Sequence, residues 1–131
     1  MNITYKGTRL LVCDYQACLD FYQKILEFDL IYEGDTREEA DLRLGNTMLN
    51  LIKRQSMAKI IGSRSESLPV ERQDNLALIF TTPNLEDTCS SLKEKGVSFE
   101  TQPMYRPDWG IKTIYLRDPD RNLIGIYELT G

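Results

Sequence analysis

Trp109-Gly-Ile-Lys-Thr-Ile-Tyr-Leu-Arg-Asp-Pro-Asp-Arg-Asn-Leu-Ile-Gly-Ile-Tyr-Glu128 is the part of the chain that decides how it folds. Two alternating runs, Thr113–Arg117 and Leu123–Tyr127, flank Asp118-Pro-Asp-Arg-Asn122. Alternation of apolar and polar residues belongs to strands with one buried face, and the polar interval between the runs fits only a turn. Pro119 presets φ, the Asp118 and Asn122 side chains can bond nearby backbone groups, and Asn122 tolerates the left-handed region that tight reversals need. The stretch reads as a β-hairpin.

The hairpin is preceded by Gln102-Pro-Met-Tyr-Arg-Pro-Asp-Trp-Gly110, a loop stiffened by Pro103 and Pro107 that holds the single tryptophan of the chain. Tyr105, Arg106 and Trp109 there present large amphipathic surfaces. Further upstream, Asn75–Thr81 reads as a strand, Asn84 as a helix cap with Asp87 at the third helical position, and Leu85, Thr88, Cys89 and Leu92 recur at helical spacing. Gly96 stops that helix and Val97–Glu100 returns as a strand. The second half is thus β-α-β-β-β.

The first half has the same layout. Ile3–Val12 reads as a strand, Asp14 caps a helix over Tyr15–Leu26, and Phe28–Glu33, Asp41–Leu44 and Thr47–Ile52 follow as strands, the last two joined by a Gly45-Asn46 turn. Cys18 matches Cys89, Phe21 matches Leu92, Leu26 matches Val97 and Phe28 matches Phe99, all at one offset. Residues 53–73 between the halves are polar and basic and read as a linker; a connection of that length is either plain or covers a site or holds a short helix. Neither half alone buries both its helix stripe and a strongly curved sheet. The expected fold is therefore α+β: two tandem βαβββ modules whose curved mixed sheets form a cup with helices on the outside. It is a single domain over 1–131, with module 1 at about 1–52, the linker at about 53–73 and module 2 at about 74–131.

Composition narrows the function. A length of 131 residues, 41% hydrophobic and 27% charged, excludes disordered and fibrous classes. No apolar run reaches the length of a membrane span and the N-terminus lacks a signal-peptide layout, so a cytoplasmic protein without membrane contact is expected. A net charge of −4 argues against nucleic acid and favours a neutral or cationic ligand. Cys13, Cys18 and Cys89 sit singly in apolar periodic runs, and buried thiols without a disulfide are expected. The chain has no histidine at all. A catalytic zinc site, an iron site built on two histidines and any histidine-based triad are thereby excluded, while carboxylate sites for magnesium, manganese or calcium survive.

The Trp-Gly pair, aromatic strand, Asp-Pro-Asp-x-Asn turn and closing apolar strand, together with the internal repeat, resemble the vicinal oxygen chelate superfamily of glyoxalase I, extradiol dioxygenases and bleomycin-resistance proteins. In its metal-binding members, ligands come from the first and fourth strand of each module. Carried over by position, these fall on Gly7, Asn50, Asn75 and Gly125, none of them a strong ligand. The resemblance therefore implies a member with no metal and no other cofactor. It also implies a homodimer, because short two-module chains of this kind pair modules across an interface.

Alternation assigns the faces. With Leu10, Val12, Leu49, Leu51, Leu76, Leu78, Ile124 and Ile126 against the helices, Gly7, Arg9, Leu11, Met48, Asn50, Asn75, Ala77, Thr113, Tyr115, Arg117, Gly125 and Tyr127 point into the cup. Apolar and aromatic walls with a few placed polar groups suit a ligand. The expected ligand-binding residues are Arg9, Asn50, Asn75, Tyr105, Trp109, Tyr115 and Tyr127. Arg9 and Arg117 either touch ligand or pair with carboxylates at the rim, and Trp109 either closes over the pocket or packs beneath it.

The expectation is a metal-free protein that binds a small aromatic or cationic compound in the cup, not a metal-dependent glyoxalase or dioxygenase. The alternatives are a non-metal enzyme using tyrosine and arginine for acid-base chemistry, for which no spacing singles out a catalytic pair, and a structural or regulatory homodimer without ligand.

Overall fold

Strands and helices follow one another twice in the same order in the computed structural model, which describes residues 1–2, 4–62, 74 and 76–129. In the first unit, Met1–Val70, β1 (Thr8–Val12) leads into α1 (Tyr15–Asp20) and a π-helical turn, Phe21–Ile25; β2 (Asp29–Glu33), β3 (Glu39–Leu44), β4 (Thr47–Lys53) and α2 (Arg54–Ile61) follow. In the second, Glu71–Gly131, β5 (Ala77–Thr81) leads into α3 (Leu85–Glu94), then β6 (Met104–Arg106), β7 (Ile111–Arg117) and β8 (Leu123–Leu129). The sheets have orders β1-β4-β3-β2 and β5-β8-β7-β6. In each, the first strand pairs in parallel with the last and the other pairs are antiparallel. This is the α+β architecture of two tandem βαβββ modules.

The pleat sorts most side chains as their alternation requires, except that Leu76, expected against the helix, precedes β5 and is 47% exposed. Leu10, Val12, Leu49, Leu51, Ile124 and Ile126 are buried, together with Tyr15, Leu19 and Tyr22 of the first helix and Leu85, Cys89 and Leu92 of α3. Both helix starts are capped as expected: Asp14 Oδ1 accepts from the Ala17 amide at 3.1 Å and Asn84 Oδ1 from the Asp87 amide at 3.0 Å.

The turn between β7 and β8 is built on Asp118. Its Oδ1 accepts from the backbone amides of Asp120 at 2.9 Å and Asn122 at 2.8 Å, and its Oδ2 accepts from Asn122 Nδ2 at 2.8 Å. These bonds hold Asn122 in place, and the residue that turns left-handed is Arg121, φ 69°, rather than Asn122.

Several expectations need correction. Val97–Glu100 is not a strand; it contributes one bridge, Phe99 to Leu116, because the Val97 amide is spent closing α3 on the Leu92 carbonyl. Pairing resumes past Pro103, which has no N–H, so β6 forms inside the segment read as a loop. The residues after Lys53 begin as α2, ended by Gly62 with φ 67°, while 63–73 lie outside the described residues. Cys13 is exposed; Cys18 and Cys89 are buried, and none of the three forms a disulfide.

The repeat is also registered differently. From cap to left-handed end, Asp14 to Glu27 (φ 66°) is one residue longer than Asn84 to Gly96 (φ 86°), and the π turn takes up the extra residue. Counted from the caps, Tyr15 corresponds to Leu85, Leu19 to Cys89 and Tyr22 to Leu92, and the buried stripes then coincide. The offset that joins Cys18 to Cys89 and Phe28 to Phe99 does not hold through the helices.

Candidate functional site

In each unit the helix after the first strand covers one sheet face, and the other face carries most of the expected site residues, with α2 lying against the Arg9 side of that face in the first unit. On the first sheet, Arg9, Asn50 and Asp41 lie side by side across β1, β4 and β3. Arg9 Nε donates to Asn50 Oδ1 at 2.7 Å and its NH2 group to Glu39 Oε2 at 3.0 Å. Asn50 Nδ2 donates to Asp41 Oδ1 at 2.7 Å and to Glu39 Oε2 at 3.1 Å. The guanidinium also touches Met57 Sδ of α2 at 3.5 Å. Every polar end of Asn50 is thus engaged, and only their shared parity on β3 marks Glu39 and Asp41 as its neighbours in the sequence.

On the second sheet, Tyr115, Gly125 and Ile79 form the row across β7, β8 and β5, with Thr113 and Tyr127 in the next. The Tyr115 and Tyr127 hydroxyls are 2.7 Å apart and the rings meet edge to face, centroids 6.1 Å apart. The hydrogen bond with Tyr115, followed by burial, pushes the Tyr127 phenol up to about 12. Space for the pair exists because residue 125 is glycine: a Cβ there would lie 2.8 Å from Tyr115 Cε1 and 3.1 Å from Ile79 Cδ1 and Tyr127 Cε1. Thr113 is buried, 1% exposed, and its hydroxyl has no hydrogen-bond partner among the described residues.

Trp109 is not packed beneath the sheet. It is 56% exposed, with the Arg106 guanidinium 4.6 Å from its ring centre. Arg106 is close enough to Tyr127 to act on its phenol, in the direction opposite to Tyr115. Arg106, which is not among the expected ligand-binding residues, thus lies near the tyrosine pair; its place two residues from Met104 on β6 puts it on this face.

Not every expected residue joins these faces. Tyr105 pairs across to Lys112 and lies on the helix side of its sheet, beside Glu128 and α3. Arg117 makes a rim salt bridge: it is bidentate to Asp74 at 2.5 and 3.0 Å and reaches Glu100 at 3.5 Å. The Asp74 bond raises the Arg117 guanidinium above its ordinary range and lowers the Asp74 carboxyl. Asn75 lies outside the described residues.

The metal held by metal-binding members of the superfamily that the sequence resembles does not fit these groups. Arg9, not Gly7, is the β1 neighbour of Asn50, so a cation already stands beside the amide. At Gly125 the volume of a ligating side chain is taken by the Tyr115 ring. Among the described residues, no three Cys, Asp or Glu side chains are grouped so as to hold a metal ion.

Comparison with known proteins agrees with this architecture. Residues 5–126 match the family model of the Glyoxalase/Bleomycin resistance protein/Dioxygenase superfamily. The chain is 36% identical over 121 residues to the uncharacterized protein YraH of Bacillus subtilis, covering 92% of this chain and 94% of that one. It is 30% identical over 119 residues to virulence protein STM3117 of Salmonella typhimurium, covering 89% and 78%. The crystal structure of STM3117 superposes with a TM-score of 0.70 over 98% of each chain, at 25% identity. TnmS3, an antibiotic binding protein from Streptomyces sp. CB03234, shares the fold with a TM-score of 0.70 and 23% identity over 98% of each chain. On the match of its sequence to the family model and of its length to these relatives, the chain belongs to the glyoxalase/bleomycin resistance protein/dioxygenase superfamily.

Proposed function

We propose that this protein is a metal-free binding member of the superfamily that holds a small aromatic or cationic compound against the open faces of its sheets. The observation that carries the reading is the aromatic floor of the second module: two hydrogen-bonded phenols seated over a glycine, with the exposed Trp109 and its stacked Arg106 beside them. Stacking on exposed rings and a few placed polar groups are what a small planar ligand needs. The Asp41 carboxylate on the first module, bonded to the neutral Asn50 amide, supplies a complement for a ligand cation, while Glu39 is paired with Arg9. The description of TnmS3 as antibiotic-binding favours the same class of activity. A homodimer in the cytoplasm is part of the same reading, since pairing would cover otherwise exposed sheet edges.

Acid-base catalysis by Tyr127 is the weaker reading. A phenol held near 12 by its neighbour is a poor general base at neutral pH, where efficient proton transfer needs a group poised near the working pH. A ligandless structural homodimer is separated by experiment.

Elemental analysis after dialysis, followed by a thermal-shift screen of aromatic and cationic compounds, tests the proposal. Less than stoichiometric metal and a concentration-dependent rise in melting temperature are expected. About one zinc, nickel, iron or manganese retained per chain would overturn the metal-free reading, since such tight retention needs ligands these positions lack. A screen without any stabilising compound would favour the ligandless dimer. Light scattering should give twice the 15.2 kDa chain mass.

A further inference from the structure

The two modules fill the space between helix and sheet differently. In the first, the Tyr15 ring is buried at the start of α1 and its hydroxyl donates to Glu33 Oε2 on the edge strand β2 at 2.8 Å, so the helix and the sheet edge are joined by an aromatic side chain. Counted from the caps, three buried positions of the stripe are smaller in the second module: Leu85 for Tyr15, Cys89 for Leu19 and Leu92 for Tyr22. The edge strand there is the short β6, entered through Pro103, which has no side-chain acceptor. The consequence is an open groove of about 730 Å³ between α3 and β6, floored by Leu85 and Cys89 and flanked by the Tyr105 ring. That volume is in the range of small-molecule sites, roughly 300–1,000 Å³.

The groove carries charge at both ends. Lys93, one helical turn beyond Cys89, lines it toward the C-terminal end of α3 with its ammonium 5.9 Å from the Phe99 ring centre, and Lys112 lines it from β7 toward the N-terminal end, where Glu128 bonds the Leu85 amide. Glu128 is already committed: its Oε1 accepts from the Leu85 amide at 2.7 Å and its Oε2 faces Lys112 at 3.7 Å. Glu86, in the first turn of α3, lines the same groove about two helical turns from Lys93 and repels negative charge there, so a ligand carboxylate belongs at the Lys93 end and a second anionic group reaching toward Glu86 is disfavoured.

We propose that this helix-side groove is a second binding site, for an aryl carboxylate carrying a single negative charge, whose ring takes the space that Tyr15 fills in the first module and whose carboxylate pairs with Lys93. The site lies on the face of the second sheet opposite Tyr115 and Tyr127, and it stands whether or not the open faces bind a ligand.

The probe is 2-naphthoate, titrated into the full chain and followed by amide chemical shifts. Saturable one-to-one binding with shifts centred on Glu86, Ser90, Lys93 and Tyr105 is expected. Restoring the first module's side chains with Leu85→Tyr plus Cys89→Leu should fill the groove and weaken binding by about tenfold or more, with a melting temperature at or above the parent's. Lys93→Glu, at an exposed position, should weaken binding comparably without unfolding, and naphthalene bearing a quaternary ammonium should not compete. Trp109→Ala should leave naphthoate binding unchanged, which separates this site from the open face. Absence of saturation, equal affinity in Lys93→Glu, or shifts centred on Tyr115 and Tyr127 would overturn the proposal.

Discussion

Tyr115 and Tyr127 share a hydrogen bond of 2.7 Å above Gly125, and the glycine is the condition of that contact. Adding a Cβ at 125 puts it 2.8 Å from a Tyr115 ring carbon that the hydroxyl bond holds in place. Gly125→Glu should therefore cost about 1–3 kcal/mol of stability, as overpacking of a filled interior does, and should not confer metal binding. Urea unfolding with and without added zinc measures both. Parent-like stability in the variant would mean that the rings re-seat freely.

The same pair sets an alkaline limit. Tyr127 is raised from 10.0 to about 12 by the Tyr115 hydrogen bond and then by burial, and Tyr15 is raised by burial and by its bond to Glu33. Both groups keep their protons longer in the folded chain than in the unfolded one. Their contribution is fully present below pH 10, falls as the unfolded chain ionises above it, and for Tyr127 is gone once pH passes about 12. Chemical denaturation across that window should show declining stability, and Tyr127→Phe together with Tyr15→Phe should flatten the decline. An unchanged slope in the double variant would remove these two phenols as its source.

Trp109 rests on Arg106 and on little else. Trp109→Ala should change stability by no more than about 1 kcal/mol, the size of an exposed cation–π contact, instead of the roughly 3–5 kcal/mol of a buried tryptophan. Compounds that raise the parent's melting temperature through the open face should lose most of that effect in the variant. A collapse of the melting temperature in the absence of ligand would assign the ring to hairpin support.

Asp118 anchors the turn between β7 and β8 while 97% of it is hidden from solvent; it is only 3% exposed. Asp118→Ala leaves the Asp120 and Asn122 amides without their acceptor, and should cost about 1–3 kcal/mol. Asp118→Asn, which keeps one acceptor oxygen, should recover part of the loss. Equal melting curves for all three proteins would show that water replaces the carboxylate.

What the chain determined by itself was local and periodic. The period-two runs fixed β7 and β8 and the faces of their residues, Asp14 and Asn84 fixed two helix starts, and the absence of histidine fixed what chemistry was out of reach. These are short-range effects: pleat, capping and composition act on neighbours along the chain. Tertiary structure decided what depended on partners distant in sequence. It chose β6 over Val97–Glu100 as the edge strand, because an amide spent on closing a helix cannot also extend a ladder. It turned Tyr105 away from the tyrosine pair and brought Arg106 toward it, since β6 parity is set by pairing with β7. It tied Asn50 to Arg9, Glu39 and Asp41, and it left a groove where Leu85 stands for Tyr15, because space between a helix and a sheet is a property of both surfaces and of neither sequence alone.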